Sequence, residues 1–355
     1  MVKILIKNGR VWDGEKFFYA DVLTEDKKII KIEPNIEDEH NRFFDAKGRI
    51  VSAGLVDAHV HMRVTPNDFY GISAEMSALP FGVTAVADAG RQLGEKWVYD
   101  TFMVKSVVFV TACIKDGHAD LEPVEELISR FGEKVIGIKI YFDTTLFEIK
   151  DVTPLKEVCD FAKDRGLKVM VHVANSPTSM AEIVSVLNKG DILTHCFHGG
   201  VNTAIEDNFE CIKIAKEKGI IVDTAFAGNL HMDFGIFKKA IENKVLPTTV
   251  STDITKSSAY MRGGRYGLTT CMSVAKDLGM TEEEIFKAVT SNPAKALGKE
   301  DEWGYLKVGR IADIAVFDYV KEGYSYKDKS GNRVENEMGY RCAFTVSSGQ
   351  IVYKD

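Results

Sequence analysis

Six side chains of metal-binding or proton-carrying type stand in or at the ends of apolar, strand-like runs: His59, His61, Lys139, His172, His195 and Asp253. The first two close the stretch Ile50 to Arg63, IVSAGLVDAHVHMR, where Ile50, Val51, Ala53, Leu55 and Val56 run without a helix-period break into His59-Val60-His61. On a strand, residues i and i+2 share a face. The two imidazoles therefore arrive side by side at the strand's C-terminal end, as two ligands of one metal would be held. Arg63 has the same parity and adds a cation at the mouth of such a site. Lys139 lies in VIGIKIY (135–141), His172 in VMVHV (169–173), His195 in ILTH (192–195) and Asp253 in TVSTD (249–253). An unpaired buried lysine or aspartate is expensive, and a metal centre would give all of them a partner. Taken singly, each has an ordinary reading too: a satisfied core histidine, a strand-end salt bridge for Lys139, a helix cap for Asp253, an ion pair at the mouth for Arg63. Six such coincidences are harder to account for than one site.

The elements that must position these residues follow from hydrophobic patterning. Between about Ile50 and Gly298 short apolar runs alternate with helix-period segments. The runs are the opening strand, 83–87, 106–112, 135–141, 168–173, 192–195, 220–224 and 248–252. Their continuous hydrophobicity suits strands buried on both faces. Leu121 to Phe131 and Thr153 to Arg165 carry apolar residues three and four apart, as amphipathic helices do, and Gly132, Gly166 and Gly219 stand where such helices stop. About eight strand–helix units in about 250 residues predict an α/β fold, a (β/α)8 TIM barrel, whose active site is built at the C-terminal strand ends. The ligand-type residues fall there. Residues 2 to 50 and the segment after Gly309 instead alternate apolar and polar residues between Gly-containing turns. Neither end closes a core alone, so both are expected to pack together as one small β-sandwich. The domain assignment is thus residues 1–50 with 300–355 for the composite sandwich, and 51–299 for the barrel.

Composition narrows the partners. The 355-residue chain is 45% hydrophobic and 27% charged, with a formal net charge of −7 and the two signs interspersed, which gives no electrostatic reason to expect nucleic acid or an anionic membrane. A small molecule is the expected partner, and a homo-oligomer is compatible with the composition. The six cysteines, at 113, 159, 196, 211, 271 and 342, form no C-x-x-C pair, and the opening MVKILIKNG is too short an apolar run for a signal or a span. Both features point to free thiols and a cytoplasmic protein.

The series H-x-H, strand lysine, His, His, Asp resembles the amidohydrolase superfamily, as do SAGLVDAHVH, SNPAKALG and GYLKVGRIADIAVFD at the two ends of the pattern. The resemblance covers nearly the whole chain. It implies two divalent metals, usually zinc, bridged by a hydroxide and by a lysine that carbon dioxide has converted to a carbamate. By position, His59, His61 and Asp253 would bind one metal, His172 and His195 the other, and carbamylated Lys139 would bridge both. Asp253 would also carry the proton during attack. Such chemistry suits the residue types: imidazole and carboxylate are zinc ligands, and two cations acidify water and polarise a carbonyl.

Finer stretches, GVTAVADAG, MVHVANSPTSMAEIVSVLNKGDILTHCFHG, LPTTVSTDIT and LGMTEEEIFKAVTSNPAKALG, look like the dihydroorotase-like amidohydrolase/deacetylase branch. That implies deacetylation of an N-acetyl amino acid or an acetylated 2-hydroxy acid. The alternative is a cyclic amidase of dihydroorotase or hydantoinase type, favoured by H-x-H-x-R through Arg63 but not by Asp88-Ala89-Gly90, which lacks the expected Asn. Arg63 would serve either substrate by pairing with a carboxylate. Tyr141, Asn175 and His198 are the other substrate-binding candidates, with His118 and the loop 257–266, including Arg262 and Arg265, as weaker ones. His40, in an acidic polar stretch, is read as a surface residue. Phe226 to His231 departs from the Gly-His-Gly character associated with the branch, which weakens the acetyl-amino-acid reading. A non-enzymatic scaffold is the reading of another class, and the full ligand set argues against it.

Overall fold

The computed structural model describes residues 1–65, 67–91, 93–260 and 266–355. Arg262 and Arg265 of the loop singled out above lie outside them. The strands are β1 (Lys3–Trp12), β2 (Phe17–Glu25), β3 (Lys28–Glu33), β4 (Arg42–Asp45), β5 (Ile50–Ala53), β6 (Leu55–Val60), β7 (Val83–Asp88), β8 (Lys105–Lys115), β9 (His118–Asp120), β10 (Val135–Tyr141), β11 (Lys168–His172), β12 (Ile192–Thr194), β13 (Ile221–Asp223), β14 (Ile314–Lys327), β15 (Arg333–Ser347) and β16 (Gln350–Lys354). They make two sheets.

One sheet is a (β/α)8 barrel wall, with parallel neighbours in the order β6-β7-β8-β10-β11-β12-β13. The eighth position is taken by residues 248–254, which are too irregular to form a continuous strand. They still close the ring through parallel bridges Asp223↔Thr249 on one side and Val60↔Ile254 on the other. Backbone hydrogen bonds from Phe226 N to Ser251 O (3.2 Å) and from Asp253 N to His59 O (2.7 Å) complete the closure. The helices Glu122–Phe131 and Thr153–Asp164 form where the apolar spacing places them. Gly132 and Gly166 follow them with φ of +55° and +66°, positive values that glycine adopts without the penalty a side chain brings. Among the described residues no helix is long and apolar enough to cross a membrane.

The second sheet joins both chain ends in the order β16-β15-β14-β5-β1-β2-β3, with β4 paired to β1. It curls over itself into the sandwich: Val22, Ile29, Val316 and Phe344, from distant strands of the sheet, share one buried cluster, and the Phe44 and Phe344 rings stack 4.3 Å apart. β5 leads through Gly54 directly into β6, so the sandwich hands the chain to the barrel just upstream of His59 and His61. Trp12 Nε1 donates to Thr290 Oγ1 (3.0 Å), and Lys105 Nζ pairs with Asp313 (2.6 Å), fixing sandwich to barrel.

Inside the barrel, Phe109, Met170 and Ile192 belong to a buried cluster closed from below by Ala294, Leu297 and Trp303. Met170 and Ile192 stand two residues before His172 and Thr194, so they form the floor of the site. Gly137 stands in the same relation to Lys139. A Cβ there would strike the Phe109 ring and lie 2.6 Å from Lys168 O, and a strand carbonyl cannot yield as a side chain can. Gly137→Ala is therefore expected to destabilise the protein by about 1–3 kcal/mol, read as a lower midpoint in denaturant unfolding. An unchanged midpoint would mean that the floor is not packed as described.

Candidate metal centre

The six ligand-type residues, drawn from five places in the wall, converge. Lys139 and His59 are fully buried, and His61, His172, His195 and Asp253 nearly so. His59 Nε2 lies 3.1 Å from Lys139 Nζ and 3.5 Å from Asp253 Oδ1, while His61 Nε2 lies 2.9 Å from the same oxygen. Asp253 Oδ2 is 3.9 Å from His195 Nε2. The His172 and His195 ring centres are 4.4 Å apart. Asp253 thus stands between two groups of imidazoles, one from β6 and one from the ends of β11 and β12.

Backbone conformation aims several of these groups. His195 and Asp253 have φ of +68° and +48°, a left-handed conformation that costs an ordinary residue on the order of 1 kcal/mol or more. The strand ends there, and the side chain turns into the barrel mouth. The His59, His61 and His195 rings are then fixed through Nδ1. His61 Nδ1 donates to Gly90 O (3.1 Å) and His195 Nδ1 to Ala225 O (2.9 Å). His59 Nδ1 faces Thr194 Oγ1 at 3.1 Å and Asp223 Oδ2 at 3.4 Å. Asp223 is itself held by donors from Thr194, Thr249 and Ser251. Donation from Nδ1 leaves Nε2 with a lone pair directed inwards, the form in which imidazole binds a metal. Asp57 accepts from Thr252 N (3.0 Å) and Thr252 Oγ1 (2.7 Å), tying the segment that carries Asp253 to β6.

Burial sets the charges. It drives His59 and His195 well below the ordinary imidazole range, and neighbouring cationic groups add to the effect. It lowers His172 to about 4 against the opposing pull of Asp143. Burial also takes Lys139 down to about 7, with Asp253 and Asp223 opposing. His59, His172 and His195 are therefore neutral near pH 7, and a substantial share of Lys139 is a free amine.

Sequence reasoning did not single out four residues that stand here. His231 has its ring 4.9 Å from His172 and 4.5 Å from His195. The segment 226–231, read from sequence as a departure, thus returns a histidine to the centre. Asp143, just past β10, lies 3.3 Å from His172 Nε2, and Asp223 orients His59 as described. The sequence signal for Asp223 was an acid inside the apolar run Ile220 to Val222. Arg91 follows the end of β7 and lies over the Tyr70 ring at 4.1 Å, and Tyr70 in turn is 4.9 Å from His61.

Of the substrate-binding candidates, Tyr141 is buried with its ring 5.6 Å from His172, and its hydroxyl has no hydrogen-bond partner among the described residues. Asn175 gives its amide N–H to Asp143 Oδ2 (3.2 Å). His198 is buried, its Nδ1 accepting from Gly200 N (3.1 Å). Arg63 is exposed, with its backbone N–H bound to Ile72 O (2.7 Å). His118 is corrected: it stands on exposed β9 and pairs with Glu157 at 2.7 Å, so its imidazole is committed to the outer surface. His40 is exposed, as read from its polar stretch. Five of the cysteines are buried and free, and Cys113 is exposed.

Donor atoms of His59, His61 and Asp253 lie within 4.8 Å of one another, and so do those of His172, His195 and His231. Among the described residues, His172 Nε2, His195 Nε2, His231 Nδ1 and Asp253 Oδ1 are buried without a hydrogen-bond partner. At about 1–3 kcal/mol for each such group, four in one place approach the whole net stability of a domain, about 5–15 kcal/mol. Divalent cations relieve that cost, and neutral imidazole with carboxylate is the donor set they take. The residues present fit such a group.

Residues 50–352 match the Amidohydrolase family. A deacetylase of Enterococcus faecalis is 28% identical over 98% of both chains, and a deacetylase of Brucella anthropi is 31% identical over 81% of this chain and 76% of its own. Among solved structures, a dihydroorotase superposes with a TM-score of 0.88 at 25% identity, covering 100% of both chains.

Proposed function

The chain belongs to the amidohydrolase family, and on that premise we propose that it uses two divalent cations to remove the acetyl group from a small carboxylate-bearing substrate, an N-acetyl amino acid or an acetylated 2-hydroxy acid. The observation that carries this reading is the convergence of two clusters of ligand-type side chains, His59, His61 and Asp253 in one and His172, His195 and His231 in the other, with Asp253 Oδ1 and a nitrogen of each imidazole in the second cluster buried without a hydrogen-bond partner among the described residues. His59, His61 and Asp253 would hold one cation and His172 and His195 the other, with zinc the metal their donor types suit. Bound there, the pair would acidify a water and polarise the substrate carbonyl.

The remaining work falls to the chain itself. A neutral Lys139 amine would add carbon dioxide with loss of a proton, and the resulting carbamate would supply the metal pair with a carboxylate ligand. Burial favours this by keeping the amine neutral. Asp253 Oδ1, with no donor of its own, takes the proton from the attacking water and returns it to the leaving nitrogen or oxygen. Burial raises the Tyr141 phenol well above its ordinary range, so it remains a donor, free to bind the oxygen that gains negative charge. At the mouth the substrate carboxylate meets guanidinium from Arg91, held over Tyr70, or from Arg63.

Deacetylation ranks first because two deacetylases are similar to the chain over most of its length. The cyclic-amidase reading rests on the dihydroorotase fold likeness and on Arg63 two residues beyond His61. Metal-loaded protein assayed on N-acetyl-D- and N-acetyl-L-amino acids, acetylated 2-hydroxy acids, dihydroorotate and hydantoin separates the two. Turnover of acetylated substrates alone is expected. Turnover of only the cyclic amides would transfer the assignment, and inertness towards every compound would defeat both readings.

A further inference from the structure

We propose that His231 is a third imidazole ligand of the second metal position, making it a three-histidine site with His172 and His195. The inference rests on the two-metal reading above and adds a residue to it. Three observations carry it. The donor nitrogens of the three rings lie within 4.8 Å of one another, and the ring centres are mutually 4.4, 4.5 and 4.9 Å apart. Each ring also has a buried nitrogen without a hydrogen-bond partner among the described residues: His172 Nε2, which lies 3.3 Å from Asp143 Oδ2, His195 Nε2 and His231 Nδ1. Three clustered neutral imidazoles with idle lone pairs suit a divalent cation.

The loop that carries His231 is built to hold it there. Gly228, with φ of +74°, turns the chain after β13. Two residues after His231, Asp233 N donates to Phe197 O (2.9 Å), and the Asp233 carboxylate caps the helix Phe234–Glu242 by accepting from Ile236 N (2.9 Å). The turn between β14 and β15 reaches across from the sandwich and clamps the same point. Asp328 accepts from Phe234 N (2.7 Å), and Ser330 Oγ donates to Asp233 Oδ2 (2.5 Å). A histidine that merely filled space would not need anchoring from both domains.

The test is a zinc titration of chelator-stripped wild type, His231→Ala and His231→Gln against a chromophoric competitor, with Co2+ visible spectra of each loaded protein. Circular dichroism of the stripped proteins checks folding, and the glutamine variant supplies the measurement should the alanine variant be unfolded. Wild type is expected to bind two equivalents. The variants should keep the first at unchanged affinity and bind the second about 10²-fold or more weakly, with an altered Co2+ spectrum. Unchanged second-site affinity and spectrum would overturn the ligand role of His231 alone, including the case in which only KM rises because His231 contacts substrate. A wild type that takes up no metal would overturn this inference together with the two-metal reading.

Discussion

Lys139→Met should abolish turnover and at the same time make the metal-free protein more stable at pH 7. The two effects have one origin. Lys139 is fully buried, and burial lowers its amine to about 7, whereas in the unfolded chain it titrates near 10.5. A folded-state value below the unfolded one means that the folded state binds the proton less well. The resulting destabilisation is at its full size below about pH 7 and fades as pH rises towards 10.5. Methionine fills a similar volume without a charge, and such replacements of buried ionic groups gain about 1–4 kcal/mol. The gain should therefore be largest at and below neutral pH and absent near pH 10.5, measured by denaturant unfolding in the presence of a chelator. Turnover, by contrast, loses the group proposed to bridge the two metals and should fall on the order of 10³-fold or more, the scale of groups that act on the transition state. A stripped Lys139→Met protein less stable than wild type at pH 7 would show that the lysine is held by structural pairing, and the carbamate account would fall with it.

Asp253→Asn should lower kcat by about 10²–10⁴-fold with little change in KM, because the carboxylate is assigned proton transfer and not substrate binding. Asparagine is the informative replacement. It is nearly isosteric, and it is among the few residues that accept the φ of +48° found here, so the turn at the end of the eighth barrel segment survives. The tie of Thr252 to Asp57 is also untouched. Metal content distinguishes the two roles of the carboxylate: retained metal with lost kcat isolates proton transfer, and lost metal shows that ligation dominates. A variant with wild-type kcat would remove Asp253 from the chemistry.

Much of this site was legible before any fold was known, because the signals are local. Continuous apolar runs of strand length report burial on both faces, and a histidine, lysine or aspartate at the end of such a run is conspicuous. That logic located His59, His61, Lys139, His172, His195 and Asp253, and the helix ends at Gly132 and Gly166. The run 248–252 was equally visible, yet the chain there follows strand geometry only as isolated bridges to β13 and β6. Hydrophobicity tells that a segment is buried between two strands, not that its ladder is regular.

Sequence alone determined which residue types stand at the strand ends and the α/β alternation that brings those ends to one face. Tertiary structure decided what surrounds them. His231, Asp143 and Arg91 sit on segments just beyond strands, where side-chain direction depends on turn geometry and on what the turn packs against, so no period reveals them. His231 reaches the centre because a clamp from β14 and β15, about a hundred residues away in the chain, fixes its loop. Arg63 and Arg91 look alike in sequence, each just past a strand end, and both are exposed, but only the fold shows that Arg91 lies across Tyr70 beside His61. Residue chemistry and strand period are properties of a short stretch of chain, whereas the partner of a loop side chain is a property of the packed whole.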